Sequence, residues 1–281
     1  MNKTKSAVLL CATLLAGLIS STRAQTPAAT TPAAPAAPAA AAAPAAPAAP
    51  SASLVLTPSV VTQYMFRGVR LGGPAFEPTI EYDYGNLALG VWANVPIKDK
   101  VPNQSDPEID PYGSYTFSVD DSTSIVPGFT LYTYPRTDTG QGFYRTTFEP
   151  NLAVNYTVAG VKFTPKIYYD VILKGPTYEL TAAFTVPLKD LGSELDFTAV
   201  GGTYKWTDAA RNASPSLTNY GDYYLGGVSM PFTLTKDSKL ILGVAYTKGT
   251  GNYFKTSGTP KQQNPAAVGR CVGTLSYTYT F

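Results

Sequence analysis

The sequence predicts an all-β protein, a transmembrane antiparallel up-and-down β-barrel of about 12 strands. Three observations carry that expectation. First, the final residues alternate between two faces. Phe281, Tyr279, Tyr277, Leu275 and Gly273 share one face, and Thr280, Thr278, Ser276, Thr274 and Val272 share the other. Side chains of a strand alternate with a period of two, so such a segment is apolar-aromatic on one side and polar on the other. A barrel in the bacterial outer membrane has that distribution, apolar toward lipid and polar toward the lumen. Second, the front of the chain reads as an export leader. Third, tight turns and longer loops alternate along the rest.

The leader is expected over residues 1–24. Lys3 and Lys5 form a positive start, an apolar run extends from Ala7 to Ile19, and Thr22-Arg23-Ala24 supplies small residues before a cleavage point at Gln25. The run is too short for a membrane-spanning helix. Cys11 follows Leu10 rather than a small residue, which argues against a lipoprotein acceptor. Residues 25–52 are nearly all Ala and Pro. Recurrent proline blocks helix and nothing in the segment could build a core, so a semi-extended periplasmic linker is expected, reaching about 80 Å at about 3.1 Å per residue. It would be either an inert leader or a tether threading the cell-wall layer.

Residues 53–281 read as short β segments. Twelve are expected to begin near Leu54, Phe76, Leu87, Glu108, Ser124, Phe143, Val161, Tyr178, Glu194, Asp222, Lys239 and Cys271. Gly85-Asn86, Asp120 to Thr123, Ala159-Gly160, Lys189 to Ser193 and Thr235 to Ser238 are tight turns. Gly68 to Ala75, Lys98 to Pro107, Arg136 to Gly142, Thr207 to Gly221 and Lys248 to Arg270 are longer loops, with Lys174 to Thr177 a short member of that class. An even strand count with both ends on the short-turn side is the outer-membrane arrangement, long loops outside. The two-faced pattern recurs in each segment: Phe148, Pro150, Leu152, Val154 and Tyr156 oppose Thr147, Glu149, Asn151, Ala153 and Asn155. A charge on the lipid face would cost roughly 2–4 kcal/mol at mid-bilayer, which gives the segregation a cause. A soluble barrel with aromatics in its core would share the periodicity. Prolines 78, 111, 127, 150, 165 and 187 fit poorly in strands, because each removes a ladder donor.

Composition excludes several functions. Loss of the leader removes Lys3, Lys5 and Arg23, so 21 basic residues become 18 against 19 acidic ones, a net charge of −1. No generally basic nucleic-acid surface is expected. One cysteine, Cys271, remains, so no intramolecular disulfide can form. The absence of histidine removes a Ser-His hydrolytic arrangement and histidine metal ligation. No catalytic residue, metal or cofactor is expected, and the protein does not read as an enzyme.

Candidate pore-lining residues follow from strand parity. Glu77-Pro78, Asp110-Pro111 and Glu149-Pro150 each place an acid before a proline near the outer end of a downward strand, and Glu179 holds the corresponding place on the eighth. Glu81, Asp83, Glu108, Asp170 and Asp196 share their face, as do Lys162 and Lys166. Arg67 is expected to end the first upward strand, with Arg70, Arg136 and Arg145 in or near the loops above. These charges would either set up a transverse field across a constriction or pair to stabilise a narrow interior.

Two resemblances add to this reading. The alternating terminus, with Tyr277, Tyr279 and Phe281, is similar to the signature of barrels inserted by the outer-membrane assembly machinery. The stretch Val61 to Gly68, then Pro74 to Pro78, then Tyr82 to Val95, resembles the opening of the TorF family of porins, with its Tyr-x-Phe-Arg-Gly strand end and Gly-x-Trp-x-x-Asn-Val strand. Gln63 and Ala93 depart from that pattern. The resemblance implies a channel and names no substrate. The expected partners are therefore outer-membrane lipid, the assembly machinery, small hydrophilic solutes and a second copy of the chain; a non-conducting surface barrel and a secreted soluble β protein are the alternatives.

Overall fold

The computed structural model describes residues 51–99, 107–141, 144–211 and 213–281. The expected leader, nearly all of the Ala/Pro linker, most of the Lys98–Pro107 loop and the strand start at Phe143 lie outside the described residues.

Among the described residues, twelve strands close into one antiparallel barrel. β1 comprises Ala52–Thr57 and Ser59–Val61, and β2 comprises Ala75–Phe76 and Thr79–Tyr84. There follow β3 (Leu87–Pro96), β4 (Glu108–Tyr115), β5 (Thr123–Thr133), β6 (Thr146–Val158), β7 (Val161–Asp170) and β8 (Gly175–Leu188). The last four are β9 (Ser193–Trp206), β10 (Leu217–Thr235), β11 (Ser238–Thr256) and β12 (Arg270–Thr280). Each strand pairs with its sequence neighbours. β12 closes the ring, with Leu275 opposite Leu242 of β11 on one side and Val60 of β1 on the other. Closure leaves no open sheet edge.

Register fixes the two faces. Glu149 pairs with Thr130 and Phe148 with Leu131; Glu81 pairs with Val55 and Tyr82 with Leu54. Exposed apolar side chains lie on the outer face, among them Ile80, Leu89, Val91, Leu152, Ile167, Leu180, Leu242 and Leu275. Aromatics gather near the two ends of that face: Tyr84, Tyr115, Tyr156 and Phe281 by the tight turns, and Phe76, Phe148, Tyr169 and Tyr178 by the loops. The fully buried side chains include Glu149, Asn94, Thr177 and Asp170. A barrel with its apolar atoms outside and its carboxylates inside inverts the distribution of a soluble protein.

The turns follow their residues. Ala159 and Gly160 both have positive φ, 49° and 78°, the type I′ geometry that suits two-residue hairpins. In the turn after β4, the Ser122 hydroxyl and amide both donate to Asp120 and hold its carboxyl below the ordinary range.

Three features depart from the sequence-based expectations. Leu217–Gly221 and Lys248–Thr256, expected as loop, belong to β10 and β11; Leu217 pairs with Thr256 and Thr218 with Lys255. At 19 residues each, these strands run well past the 9–11 residues a span needs. Their ends are Thr-, Tyr-, Asn- and Lys-rich, so they form strand without the apolar alternation that marks one. Second, Pro111, Pro127, Pro150, Pro165 and Pro187 sit inside strands. The first four present their rings on the outer face, as partners of Val91, Leu152, Phe129 and Leu180. At Pro111 the β4–β5 ladder is interrupted between Thr130–Tyr112 and Thr133–Ile109 with its register kept, and the Thr133 amide donates to the Asp110 carboxylate at 3.1 Å. Third, β1 ends at Val61, and residues Tyr64–Phe66 and Val69–Gly72 form a separate two-stranded hairpin.

Candidate functional site

The hairpin Tyr64–Gly72 folds into the loop end of the lumen, and its tip makes the site. Arg67 and Gly68 occupy the turn with φ of 47° and 75°, again type I′. The geometry places Arg67 in a left-handed conformation that costs a non-glycine residue about 1–2 kcal/mol. Gly68 is required by space as well: a Cβ there would stand 2.5 Å from the Gly249 Cα on β11.

From this tip Arg67 crosses to β6. Nη1 and Nη2 donate to the two oxygens of Glu149 at 2.9 and 2.8 Å, a bidentate pair with both side chains almost wholly buried. The guanidinium carbon lies 4.7 Å from the Phe66 ring, 4.9 Å from Tyr168 and 5.6 Å from Trp206. A buried pair offsets its desolvation only when the remaining lone pairs and protons are also satisfied; Tyr132 donates a third bond to Glu149 at 2.9 Å. The hairpin is held along its length. Tyr64 donates to Glu108 on β4 at 2.5 Å and packs on Trp92, and Phe66 meets the edge of Tyr132.

The structure places the expected acids on the lumen side, each with its own donor. Glu77 accepts from Asn94 at 3.0 Å. Glu81 accepts from Tyr112 at 2.8 Å and Asp83 from Ser53 at 3.4 Å. Glu108 accepts from Tyr134 at 2.8 Å as well as from Tyr64. Glu179 accepts from Tyr223 at 2.7 Å and Tyr168 at 3.1 Å. Asp170 turns the chain out of β7 by accepting the Ile172 and Leu173 amides at 2.9 and 2.7 Å. Glu77, Asp110, Glu149 and Glu179 therefore form separate hydrogen-bonded groups.

The basic residues divide. Lys166 pairs with Glu179 in the β7–β8 register and sits 4.6 Å from the Tyr168 ring. Lys162 lies lower on the same face and is only half-buried. Arg70 donates to Gln63 at 2.6 Å, and Arg136 and Arg145 are exposed. Arg67, expected at the end of the first strand, belongs instead to the infolded hairpin, because the chain leaves the wall after Val61. Charges that parity assigned to opposed walls are thus joined by one arm crossing the lumen.

Sequence reasoning missed the tyrosines. Tyr112, Tyr132, Tyr134 and Tyr223 supply the hydroxyls that the buried acids need, each from a rigid ring. Their parity was available, since Tyr112 stands two residues from Asp110. Two of them lie flat on glycine of the next strand: Tyr112 crosses Gly90, and Tyr223 crosses Gly202, where a Cβ would collide with the ring. A glycine opposite a tyrosine on a lumen face is the signal for a ring folded against the wall.

Chemically, the arrangement is a set of carboxylates held by tyrosine, asparagine and Arg67 donors and crowded at the loop end of the barrel interior. Among the described residues, no group of three metal-ligating side chains converges.

In comparisons with known proteins, no curated protein matches the chain. Among solved structures, it is similar to the NanC porin, with 11% identity over 80% of this chain and 98% of that one and a TM-score of 0.46. It is similar to the KdgM porin, with 12% identity, coverage of 82% and 99% and the same TM-score. LpxR from Salmonella typhimurium is similar at 9% identity, with coverage of 82% and 100% and a TM-score of 0.46. A family profile matches residues 41–253, more than half of the sequence. The chain belongs to that family, Gcw_chp, bacterial proteins of unknown function.

Proposed function

We propose that the protein is an outer-membrane barrel acting as a narrow passive channel for small hydrophilic solutes or ions. The observation that carries this reading is the inversion of faces: an apolar outer surface with aromatic ends around a lumen lined by carboxylates, lysines and tyrosines. A twelve-stranded ring lies between eight strands, whose interior side chains fill, and 16–18, which leave an open channel. The Tyr64–Gly72 hairpin narrows the loop end further. The expected export leader and the resemblance of residues 61–95 to TorF porins support the same reading. The protein would reach the membrane through the barrel assembly machinery.

The test is single-channel recording of the folded protein in planar bilayers. Small, discrete conductance steps are expected. Orientation is read by placing cysteines at Ser257 in the β11–β12 loop and at Lys236 in a tight turn, in a Cys271→Ser background. On intact cells an impermeant thiol reagent should label the first and spare the second. A folded, membrane-inserted barrel without conductance would point to the structural alternative.

A further inference from the structure

We infer that the outer face of β9–β11 at the loop end is a binding site for one phosphate-bearing glycolipid of the outer leaflet. The inference rests on the outer-membrane reading and adds a partner to it. Register shows which residues share this face. Phe197 pairs with Val228, Gly201 with Tyr224, Thr203 with Asp222 and Lys205 with Tyr220. Across the next ladder Tyr224 pairs with Lys248, Asp222 with Thr250, Tyr220 with Tyr253 and Thr218 with Lys255. Following this alternation around all twelve strands, the outward-facing charged residues among those described are Lys205, Asp222, Lys248 and Lys255. Lys261 joins them from the following loop, its Nζ 4.1 Å from the Tyr253 ring. Charge on the outer face is confined to one sector and one end, four lysines against one carboxylate.

None of these lysines enters an ion pair among the described residues, whereas Lys174, at the same end on the next hairpin, is paired with Asp208 at 3.1 Å. The unpaired cluster calls for an anion from outside the chain. The surface below it calls for an acyl chain. Gly201 and Gly226 face open space there, with no atom within 4 Å of where a Cβ would stand. With Ala199 they leave a smooth apolar strip, bordered by Tyr224 and Tyr246, whose rings lie 6.2 Å apart. Basic side chains directly above an apolar strip match an anionic amphiphile, by the same electrostatics that draws polybasic segments to anionic headgroups.

Height selects the glycolipid over a phospholipid. Lys248 is ten residues beyond Ser238, where β11 begins, about the length of a tilted span. Lys255 is seven residues further along, roughly 20 Å at about 3.3 Å per residue. A phospholipid phosphate at the level of Lys248 would leave Lys205, level with Tyr220 and Tyr253, above it. A sugar headgroup carrying more than one phosphate could meet Lys248 and also reach Lys205, Lys255 and Lys261.

The experiment uses the full mature chain folded in dodecylmaltoside micelles and reads the midpoint of its heat-induced mobility shift. Bisphosphorylated lipid A, its dephosphorylated form and dioleoylphosphatidylglycerol are added separately. Bisphosphorylated lipid A should raise the midpoint, and the other two should raise it much less. The combined variant Lys205→Gln, Lys248→Gln, Lys255→Gln and Lys261→Gln should lose most of the rise; Lys189→Gln with Lys236→Gln, at the opposite end, should keep it. Gly226→Leu, which fills the strip without touching charge, should weaken it. An equal rise in the fourfold variant, or an equal rise with phosphatidylglycerol, would overturn the assignment. So would a doubled protomer mass by light scattering that the fourfold variant abolishes, since the face would then belong to a second copy. Failure of every variant to form a heat-modifiable barrel would instead remove the membrane reading, and the inference with it.

Discussion

The two ends of the lumen obey one parity rule and reach opposite outcomes. At the tight-turn end the inward residues are short or partly exposed: Ser53, Thr57, Ser124, Asn155, Thr164, Thr181, Ala183 and Thr185. Their bonds are local, such as Asn155 to Ser124 at 3.0 Å and Thr164 to Asn155 at 2.9 Å. An open pocket of about 200 Å³, lined by Ser193, Glu194, Pro231, Thr233 and Lys239, lies at the turn ends of β9–β11. At the loop end, Glu77, Glu108, Asp110, Glu149 and Arg67 are buried, and long tyrosines reach between strands. The wall is continuous from one end to the other. What differs is the hairpin laid across the loop end. The crowding at the loop end is therefore built in part by a loop, with Glu108 and Glu149 of the wall accepting from its Tyr64 and Arg67.

The largest expected effect comes from removing that loop. Replacing Met65–Leu71 with a short Gly-Ser connector leaves every barrel ladder in place and takes away the crossing arm. Conductance in planar bilayers should rise several-fold. Gly68→Val should do the same to a lesser extent, because its side chain would meet the Gly249 backbone and hold the tip off β11. Unchanged conductance in both would move the constriction elsewhere and end the contrast between the two ends.

Much of the wall was legible in the sequence because a strand with one face toward an apolar medium cannot hide its pattern. Each of the twelve expected strands exists, the tight turns lie where Gly85-Asn86 and Ala159-Gly160 stand, and the inward acids follow from parity. The hairpin was not legible. Tyr64-Met65-Phe66 reads as a continuation of the preceding apolar alternation, and only the break after Val61 separates them. The tops of β10 and β11 were missed for the converse reason: outside an apolar slab a strand can be polar on both faces. The acids were visible, but their partners were not, because a tyrosine serves equally on a lipid-facing girdle or over a lumen carboxylate. Tyr156 and Tyr168 differ only in parity.

A second prediction tests whether the crossing arm is held as a unit. Glu149→Ala leaves the Arg67 guanidinium buried without its partner, which should cost about 3–5 kcal/mol. The heat-modifiable transition should move to markedly lower temperature. Arg67→Met combined with Glu149→Leu removes both charges and should recover much of the loss. A single variant as stable as the parent would mean that the hairpin leaves the lumen freely.

A smaller effect is expected one layer down the wall. Glu179 accepts from both Tyr223 and Tyr168; Tyr168 packs against Arg67 of the hairpin, and Tyr223 reaches Glu179 from β10. Tyr223→Phe removes one donor to a charged group, worth about 1.5–3 kcal/mol, and leaves the ring across Gly202. Its effect on thermal stability should persist in the connector variant, while that of Glu149→Ala should shrink, since Arg67 is then gone. Equal shrinkage of both would show that the hairpin organises the whole interior.

The smallest expected effect lies at the open end. Lys162 is half-buried and faces the lumen, opposite Ala183 in the β7–β8 register. No ion pair holds it among the described residues. Lys162→Gln should shift the reversal potential in a salt gradient slightly toward cations. The shift should fade as salt rises, because a partly exposed charge is screened over about 8 Å at 0.15 M. Arg67→Gln should move selectivity in the same direction by more, and the shift should survive the same salt, since its surroundings admit little water. If Lys162→Gln gives the larger and more salt-resistant shift, ions are discriminated at the turn end, and the crowded loop end serves to fasten the hairpin rather than to select.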